Sequence, residues 1–306
     1  MTRIPHPEVP VRGAELLLPF RRMNPRWTVL VFVYLAFGLL GAWYLFDTTS
    51  VGADLATYQR AGAALWSTGD PYAATSALPE DYRYRYPPLL AMLMPVLGWP
   101  PIWFALIAFA TVVPVVVAYR VAGPAGLLPV GLLIGAWGQQ LLNGNAQAFV
   151  IALLAVVPLT GATGAVGLAL ATMLKLHPVL GIVWYAGRRE WRLLAWYAAA
   201  MIVLAAIQLP WLPAMLRFYL DDPAATTTIP GMSLRALGFL PWVVGTLVFG
   251  AAALWFARTR YGWLLATLFQ MAALPRILLV NLALLLAAPL PPRMARDSSE
   301  RPTRVP

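Results

Sequence analysis

The chain has 306 residues, of which 60% are hydrophobic and only 11% are charged, and its formal net charge is +10. Soluble domains carry about a quarter charged residues, so this composition excludes an ordinary soluble globule and predicts an all-α, polytopic integral membrane protein. The absence of cysteine excludes disulfides and thiolate metal sites, and no metal or cofactor is expected. The arginines lie in short clusters between apolar runs, which indicates topogenic charge rather than nucleic-acid binding.

The first apolar run, residues 27–46, has about the 20 residues that a transmembrane helix needs. Five arginines precede it, so the positive-inside rule predicts a cytoplasmic N-terminal tail, residues 1–26, at a bacterial cell membrane. The long polar segment that follows, residues 47–88, is then the first extracytoplasmic loop. Its acidic residues are five of the twelve in the chain: Asp47, Asp54, Asp70, Glu80 and Asp81. We therefore expect the chemistry in this loop.

Further apolar runs follow the loop and predict a transmembrane domain over residues 27–290. The expected spans are residues 89–97, 102–119, 125–142, 146–159, 164–185, 193–212, 239–256 and 261–288. The last run is long enough for one tilted span or for two short ones, which gives roughly nine to ten crossings. Residues 213–238 are predicted to form a second extracytoplasmic loop. The tail, residues 291–306, is predicted to be disordered and cytoplasmic.

Within the first loop, apolar residues recur at helical spacing, which predicts an amphipathic helix over residues 55–67 lying on the membrane surface. Asp54 comes just before its first turn, and two interpretations are open. The first is a helix N-cap, because aspartate accepts backbone N–H groups well. The second is a general base that takes a proton from a sugar hydroxyl, with the nearby bilayer raising its basicity. The two roles are compatible, since a capping carboxylate has a second oxygen.

Three tyrosines alternate with two arginines at the end of this loop: Tyr82, Arg83, Tyr84, Arg85 and Tyr86. This pattern is typical of an aromatic belt with arginines that reach towards lipid headgroups. It is equally typical of a site in which arginines bind a lipid-linked phosphate while tyrosines pack against the sugar or the prenyl chain.

Lys175 is the only lysine of the chain and lies in the middle of a predicted span, where an ionisable group costs about 2.5–3.5 kcal/mol. It either compensates the charge of a phosphate or makes a buried contact between helices. A group of amides flanks a predicted helix break: Gln139, Gln140, Asn143, Asn145 and Gln147. Their expected role is to satisfy the backbone groups freed by the break, with lining of a lipid cavity as a secondary role.

Four segments resemble the signature of glycosyltransferase family 87. In the first loop, the matching order is Asp54, Tyr58, Ala61, Gly69-Asp70-Pro71-Tyr72 and Tyr86-Pro87-Pro88. Later matches are Asn143-Gly144-Asn145-Ala146-Gln147, Leu174-Lys175-Leu176-His177-Pro178 and Met232-Ser233-Leu234-Arg235-Ala236-Leu237. The resemblance spans roughly residues 27–260. It implies the C-type membrane glycosyltransferase fold and transfer of a hexose, with mannose as the first candidate, from a polyprenyl-phosphate donor to an extracytoplasmic glycolipid or glycan. Transfer of the pentose arabinose is the alternative.

By this resemblance Asp54 is the catalytic base. The residues expected to bind the substrates are Tyr58, Arg60, Asp70, Tyr72, Arg83, Arg85, Tyr86, Lys175 and Arg235. The expected partners are the lipid-linked donor, the acceptor and the surrounding membrane lipids. Two other hypotheses remain: a transporter or flippase for lipid-linked sugars, which should show internal repeats that we do not find, and a catalytically inactive relative that acts as a structural partner.

Overall fold

The computed structural model describes residues 51–78, 83–221, 233–274 and 279–290. These residues form helices and no strands, as expected for an all-α protein. The α-helices are α1 (Ala53–Thr68), α2 (Pro88–Leu97), α3 (Pro100–Ala122), α4 (Leu127–Asn143), α5 (Gln147–Val156), α6 (Ala162–Leu174), α7 (Ile182–Arg188), α8 (Trp191–Gln208), α9 (Leu212–Asp221), α10 (Phe239–Trp255) and α11 (Gly262–Ala272). The predicted span 27–46 and both predicted tails lie outside the described residues.

The predicted first loop, residues 47–88, contains the helix that its periodicity predicts. Helix α1 buries one face, including Leu55, Tyr58 and Leu65, against α2. Helix α2 begins at a proline, which is favoured at a first helical position because its missing N–H would be unpaired there in any case. At ten residues α2 is about 15 Å long. It is therefore too short to cross a bilayer on its own, contrary to the prediction for residues 89–97.

The central helices run back and forth between two ends of the bundle. Helix α5 lies at the centre, packed against α3, α6 and a 3-10 segment, Leu279–Ala287. Two hydrogen bonds define one end: Gly52 N–H donates to the carbonyl of Leu142, and the indole of Trp103 donates to the carbonyl of Gly144, both at 2.8 Å. Helices α4, α6 and α8 all end there, so the residues that join them to the next helices lie at this end. We call it the Asp54 end.

The predicted span 164–185 is not one helix. Helix α6 ends at Leu174, and Lys175 is extended, with φ −148° and ψ 132°. A 3-10 turn, His177–Gly181, leads into α7. Pro178 explains the break, because it has no N–H to donate to the carbonyl of Leu174 and its ring would clash with that carbonyl in a continuous helix.

Two other predictions change at the end of the chain. The predicted second loop, residues 213–238, begins with helix α9, so its first part is helical. Residues 222–232 lie outside the described segments. In the run 261–288 the described residues form α11 and the 3-10 segment 279–287, and residues 275–278, where the break was predicted, lie outside the described segments.

Large apolar side chains cover much of the outer surface of α8 and α10. Exposed examples are Ile202, Val203, Leu247, Val248 and Trp255. Within the described residues, two helical stretches are long and apolar enough to cross a membrane, Pro100–Asn143 and Trp191–Leu220. Only 11% of the most apolar part of the second stretch is buried, whereas the core helix of a soluble protein is mostly buried.

Candidate functional site

Asp54 lies in the first turn of α1 and does not cap it. The N-cap residue is Gly52, whose φ of 73° favours glycine, and it makes no side-chain cap. The N-cap interpretation of Asp54 is therefore wrong, because the helix begins two residues earlier than its periodicity indicates. Instead, Oδ2 of Asp54 accepts a hydrogen bond of 2.8 Å from Nδ2 of Asn145, a residue 91 positions further along the chain.

Asn145 follows the break between α4 and α5. Gly144 adopts a left-handed conformation, with φ 69°, and Asn145 N–H bonds to the carbonyl of Gln140 at 2.9 Å, which closes the end of α4. The side-chain oxygen of Asn145 accepts the N–H of Gln147 at 2.8 Å. Since one end of the amide is an acceptor and the other a donor, this bond fixes the amide orientation and presents Nδ2 to Asp54.

Lys175 approaches the same carboxylate from the break after α6. Its Nζ lies 5.0 Å from the centroid of the Tyr86 ring, a cation–π contact, and its charge acts directly on Asp54. The extended conformation of Lys175 separates it from the regular helix that the sequence predicts. The side chain is thus directed by a helix break to the first loop.

The pKa of Asp54 is raised from 3.8 to about 6. Burial is the largest cause, because it disfavours the charged carboxylate. The positive charge of Lys175 and the hydrogen bond from Asn145 lower the pKa and offset part of that rise. A carboxylate with a pKa near 6 is ionised at neutral pH and is more basic than a solvent-exposed aspartate.

A cluster of tyrosines supports this site from the interior. The hydroxyl of Tyr58 donates to the hydroxyl of Tyr86 at 3.1 Å and accepts the N–H of Ala146 at 3.3 Å. Tyr84 is fully buried, with its ring 5.5 Å from that of Tyr86. The aromatic-belt interpretation is therefore wrong for Tyr84, since it packs inside the protein. Tyr82 lies outside the described residues.

Three predicted substrate-binding residues line a neighbouring cavity of about 400 Å³: Asp70, Tyr72 and Arg83. Oδ1 of Asp70 accepts the N–H groups of Tyr72 and Ala73 at 2.9 and 3.1 Å, which orders the turn after α1. Tyr72 donates from its hydroxyl to the carbonyl of Tyr86 at 2.9 Å, so one tyrosine separates the cavity from the Asp54 cluster.

Two of the remaining predicted residues, Arg60 and Arg235, are not brought to Asp54, whereas Arg85 lies beside Tyr86. Arg60 is on the exposed face of α1, roughly opposite the buried stripe. Arg235 lies on a 3-10 turn, with its guanidinium 5.1 Å from the ring centroid of Phe239. The backbone of Arg85 is held near the site, because its carbonyl accepts the hydroxyl of Tyr219 at 2.7 Å.

Two features of this region were not anticipated from the sequence. The first is the bond between Asn145 and Asp54; the only signal for it was the group of amides around the helix break. The second is the contribution of α9, because Arg217 and Phe218 complete the cavity beside Tyr72. An amphipathic pattern over residues 212–221 would have predicted this helix, since apolar and polar residues alternate there at helical spacing.

These groups can support proton transfer next to an anionic substrate. Asp54 provides a base, Asn145 positions it, and Lys175 provides a cation beside an aromatic ring. No protein-family profile, curated protein or solved structure matches the chain. The assignment of a function therefore depends on the chemistry of the site and on the four sequence segments.

Proposed function

We propose that this protein is a multi-pass membrane glycosyltransferase with the C-type fold, which moves a hexose from a polyprenyl-phosphate donor to an extracytoplasmic acceptor. Mannose is the first candidate for the sugar, and the pentose arabinose is the alternative. The observation that carries the proposal is the Asp54 carboxylate, with a pKa of about 6, hydrogen-bonded to Asn145 and facing the charge of Lys175. The resemblance of the first-loop residues to glycosyltransferase family 87 supports the identity of the donor. The exposed apolar surfaces of α8 and α10 support a membrane environment.

The reaction requires a base and a place for a leaving phosphate. Asp54 takes the proton of the acceptor hydroxyl as that oxygen forms a bond to the anomeric carbon of the donor sugar. The bond between the anomeric carbon and the phosphate oxygen breaks, and its electron pair leaves with the polyprenyl phosphate. Charge therefore develops on the phosphate, and a fixed cation such as Lys175 stabilises it without reorganisation.

Asn145 is assigned to positioning rather than to chemistry. Its amide holds Oδ2 of Asp54, so the other carboxylate oxygen is directed to the acceptor. Because a hydrogen bond to the charged form favours ionisation, Asn145 also keeps more of Asp54 deprotonated at neutral pH. A lipid-linked donor needs no nucleotide-binding residues, which agrees with the absence of a glycine-rich phosphate loop in the sequence.

A carrier for lipid-linked sugars is the second candidate, and the break at Lys175 is the observation that favours it. Discontinuous helices with an ionisable residue at the break are common in transporter binding sites. A carrier needs no base for glycosidic bond formation. The two candidates are therefore separated by whether a new glycosidic bond appears.

The proposal is tested with purified full-length protein, polyprenyl phosphate carrying radiolabelled mannose, and membrane glycolipid extracts as acceptors. Asp54→Asn keeps the shape of the side chain and removes the base. Glu190→Gln is the matched control, because Glu190 pairs with Arg188 at 2.6 Å at the opposite end of the bundle. We expect transfer by the wild type and by Glu190→Gln, and a loss of at least about 100-fold for Asp54→Asn.

Equal transfer by Asp54→Asn and the wild type would remove Asp54 as the base. If neither protein transfers mannose or arabinose although the labelled donor still binds, the proposal that this protein is an enzyme is contradicted. Counterflow of the labelled lipid in proteoliposomes then distinguishes the carrier from an inactive structural relative.

A further inference from the structure

The cavity beside the Asp54 cluster combines residues from two distant parts of the chain. Asp70, Tyr72 and Arg83 come from the first loop, whereas Arg217 and Phe218 come from α9. None of the three central groups of the proposed chemistry, Asp54, Asn145 and Lys175, lines it. The cavity is therefore separate from these three groups.

Two guanidinium groups and one carboxylate line this cavity, which leaves a formal charge of +1 from these three groups. Nε of Arg83 donates to the carbonyl of Leu78 at 3.1 Å, and this bond helps to hold Arg83 in place. Arg217 is exposed, and among the described residues it has no hydrogen-bond or ion-pair partner. Arginine is the side chain best suited to phosphate, because its planar fork can make two parallel hydrogen bonds.

The remaining lining suits a ligand that carries hydroxyl groups and an apolar part. Oδ1 of Asp70 already accepts two backbone N–H groups, which leaves Oδ2 to accept a hydroxyl of the ligand. Tyr72 and Phe218 stack, with ring centroids 4.6 Å apart and an interplanar angle of 14°, and form a flat wall. On α9, Leu216 and Leu220 flank Arg217 and are 50% and 80% exposed, which places aliphatic surface next to a cation.

We infer that this cavity binds the phosphate-bearing headgroup of a lipid, and that this lipid is the acceptor in the reaction. The role of this lipid as the acceptor rests on the proposed transferase function, whereas the binding of the lipid does not. The two arginines bind the phosphate, Asp70 binds a headgroup hydroxyl, and the acyl chains lie along Leu216 and Leu220. The hydroxyl of Tyr72 donates to the backbone carbonyl of Tyr86, and the Tyr86 ring contacts Lys175, so two tyrosines, Tyr72 and Tyr86, lie between a headgroup held here and Lys175.

A binding titration with the full chain in neutral detergent tests the inference. The probes are dioctanoyl phosphatidylglycerol, a neutral galactosyl diacylglycerol of the same chain length, and inorganic phosphate. The phospholipid carries phosphate and hydroxyls, the galactolipid carries hydroxyls alone, and inorganic phosphate carries no chains. We expect the phospholipid to bind at least tenfold more tightly than either other probe, because only it fills every part of the cavity.

The variant is Arg217→Gln, and its matched control is Arg192→Gln, an exposed arginine of the preceding helix at the opposite end of the bundle. Losing one charge-assisted hydrogen-bonding group predicts about tenfold weaker phospholipid binding by Arg217→Gln and no change for Arg192→Gln. Arg217→Lys should recover part of the loss, since it restores the charge without the fork. In transfer assays Arg217→Gln should raise KM for a phospholipid acceptor and leave kcat close to that of the wild type.

Three results would overturn the inference. Equal binding of the phospholipid and the galactolipid would exclude phosphate recognition. Equal binding of inorganic phosphate and the phospholipid would make this a free-phosphate site. Equal losses for Arg217→Gln and Arg192→Gln would show a general effect of charge. A different result would separate the two proposals. If the protein transfers no sugar, but binds phospholipid in a way that depends on Arg217 and persists in Asp54→Asn, the transferase function is contradicted and the headgroup site is supported.

Discussion

The two ends of the helix bundle differ in what holds their turns in place. At the Asp54 end, the turn after α4 is tied to the first loop by the bond between Asp54 and Asn145 and to α3 by the bond from Trp103 to the carbonyl of Gly144. At the opposite end, α3, α4 and the 3-10 segment 279–287 surround a cavity of about 460 Å³ lined almost entirely by alanine, leucine, proline and glycine.

This difference shows at which end of the bundle the chain buries the side chains whose burial costs the most free energy. Burying a polar or charged side chain costs free energy unless it finds a partner, whereas an apolar lining carries no such cost. Lys175 and Asp54 lie at one end, Lys175 in the break after α6 and Asp54 in the first turn of α1. A concentration of such groups at one end is typical of a functional site.

The largest effect is expected from Lys175→Gln. If Lys175 stabilises charge on the leaving phosphate, its loss should reduce transfer by roughly 100- to 1,000-fold, the range for removing one preorganised electrostatic group. Arg192→Gln removes a positive charge at the other end and should leave transfer unchanged. Radiolabelled transfer at pH 7.5 measures both. A smaller than threefold loss for Lys175→Gln would assign Lys175 to a packing contact between helices.

The next effect concerns stability, and its sign follows from the pKa of Asp54. The carboxyl ionises near 3.8 in the unfolded chain and near 6 in the folded protein, so wild-type stability falls as the pH rises through this window. At 1.36 kcal/mol per unit, this rise corresponds to up to about 3 kcal/mol. Asp54→Asn should therefore be more stable than the wild type at pH 8.

Most of this gain should be lost by pH 4, because the folded wild-type carboxyl is neutral there and the unfolded one is only about half ionised. Thermal unfolding in detergent at pH 4 and pH 8 provides the measurement, with Glu190→Gln as the control for loss of a carboxylate. A lower melting temperature of Asp54→Asn at pH 8 would indicate that Asp54 stabilises the fold, which is the opposite of our account.

Two glycines compare the ends directly. Gly144 has φ 69° and ψ 35°, a left-handed helical conformation in which alanine costs about 1 kcal/mol. Gly123 has φ 62° and ψ −152°, a conformation that is essentially restricted to glycine, so alanine is strained at least as strongly there. A Cβ at Gly144 would also meet Cβ of Leu55 at 3.0 Å, whereas a Cβ at Gly123 would have nothing within 4 Å. We expect both alanine variants to unfold at lower temperature, but only Gly144→Ala to lose transfer. Equal losses of transfer by the two variants would mean that the turn after α4 does not hold the site.

The smallest effect is expected from Asn145→Ala. Losing its hydrogen bond raises the pKa of Asp54, because that bond favours the charged form. Transfer should fall by less than about tenfold at pH 8 and by a larger factor at pH 6, where less of the base is ionised. Equal losses at the two pH values would show that Asn145 acts on substrate binding and not on the ionisation of Asp54.

The local parts of this structure could be predicted from the sequence, and the contacts between distant parts could not. Periodicity predicted α1, and the concentration of carboxylates in the first loop directed attention to Asp54. The break at Lys175 was missed because the apolar run continues through it, and hydropathy does not register the constraint that Pro178 imposes. The bond to Asn145 joins residues 91 positions apart, and the cavity needs α9 beside the first loop. Only tertiary packing determines such juxtapositions.

The pH dependence of sugar transfer by the wild-type protein tests the central claim most directly. With saturating donor and acceptor, the rate should rise with pH to a plateau, with a midpoint near the pKa of about 6 that burial gives Asp54. The residual rate of Asp54→Asn should show no such midpoint. A wild-type rate that stays constant between pH 5 and 8, or a midpoint that Asp54→Asn retains, would contradict the assignment of Asp54 as the base.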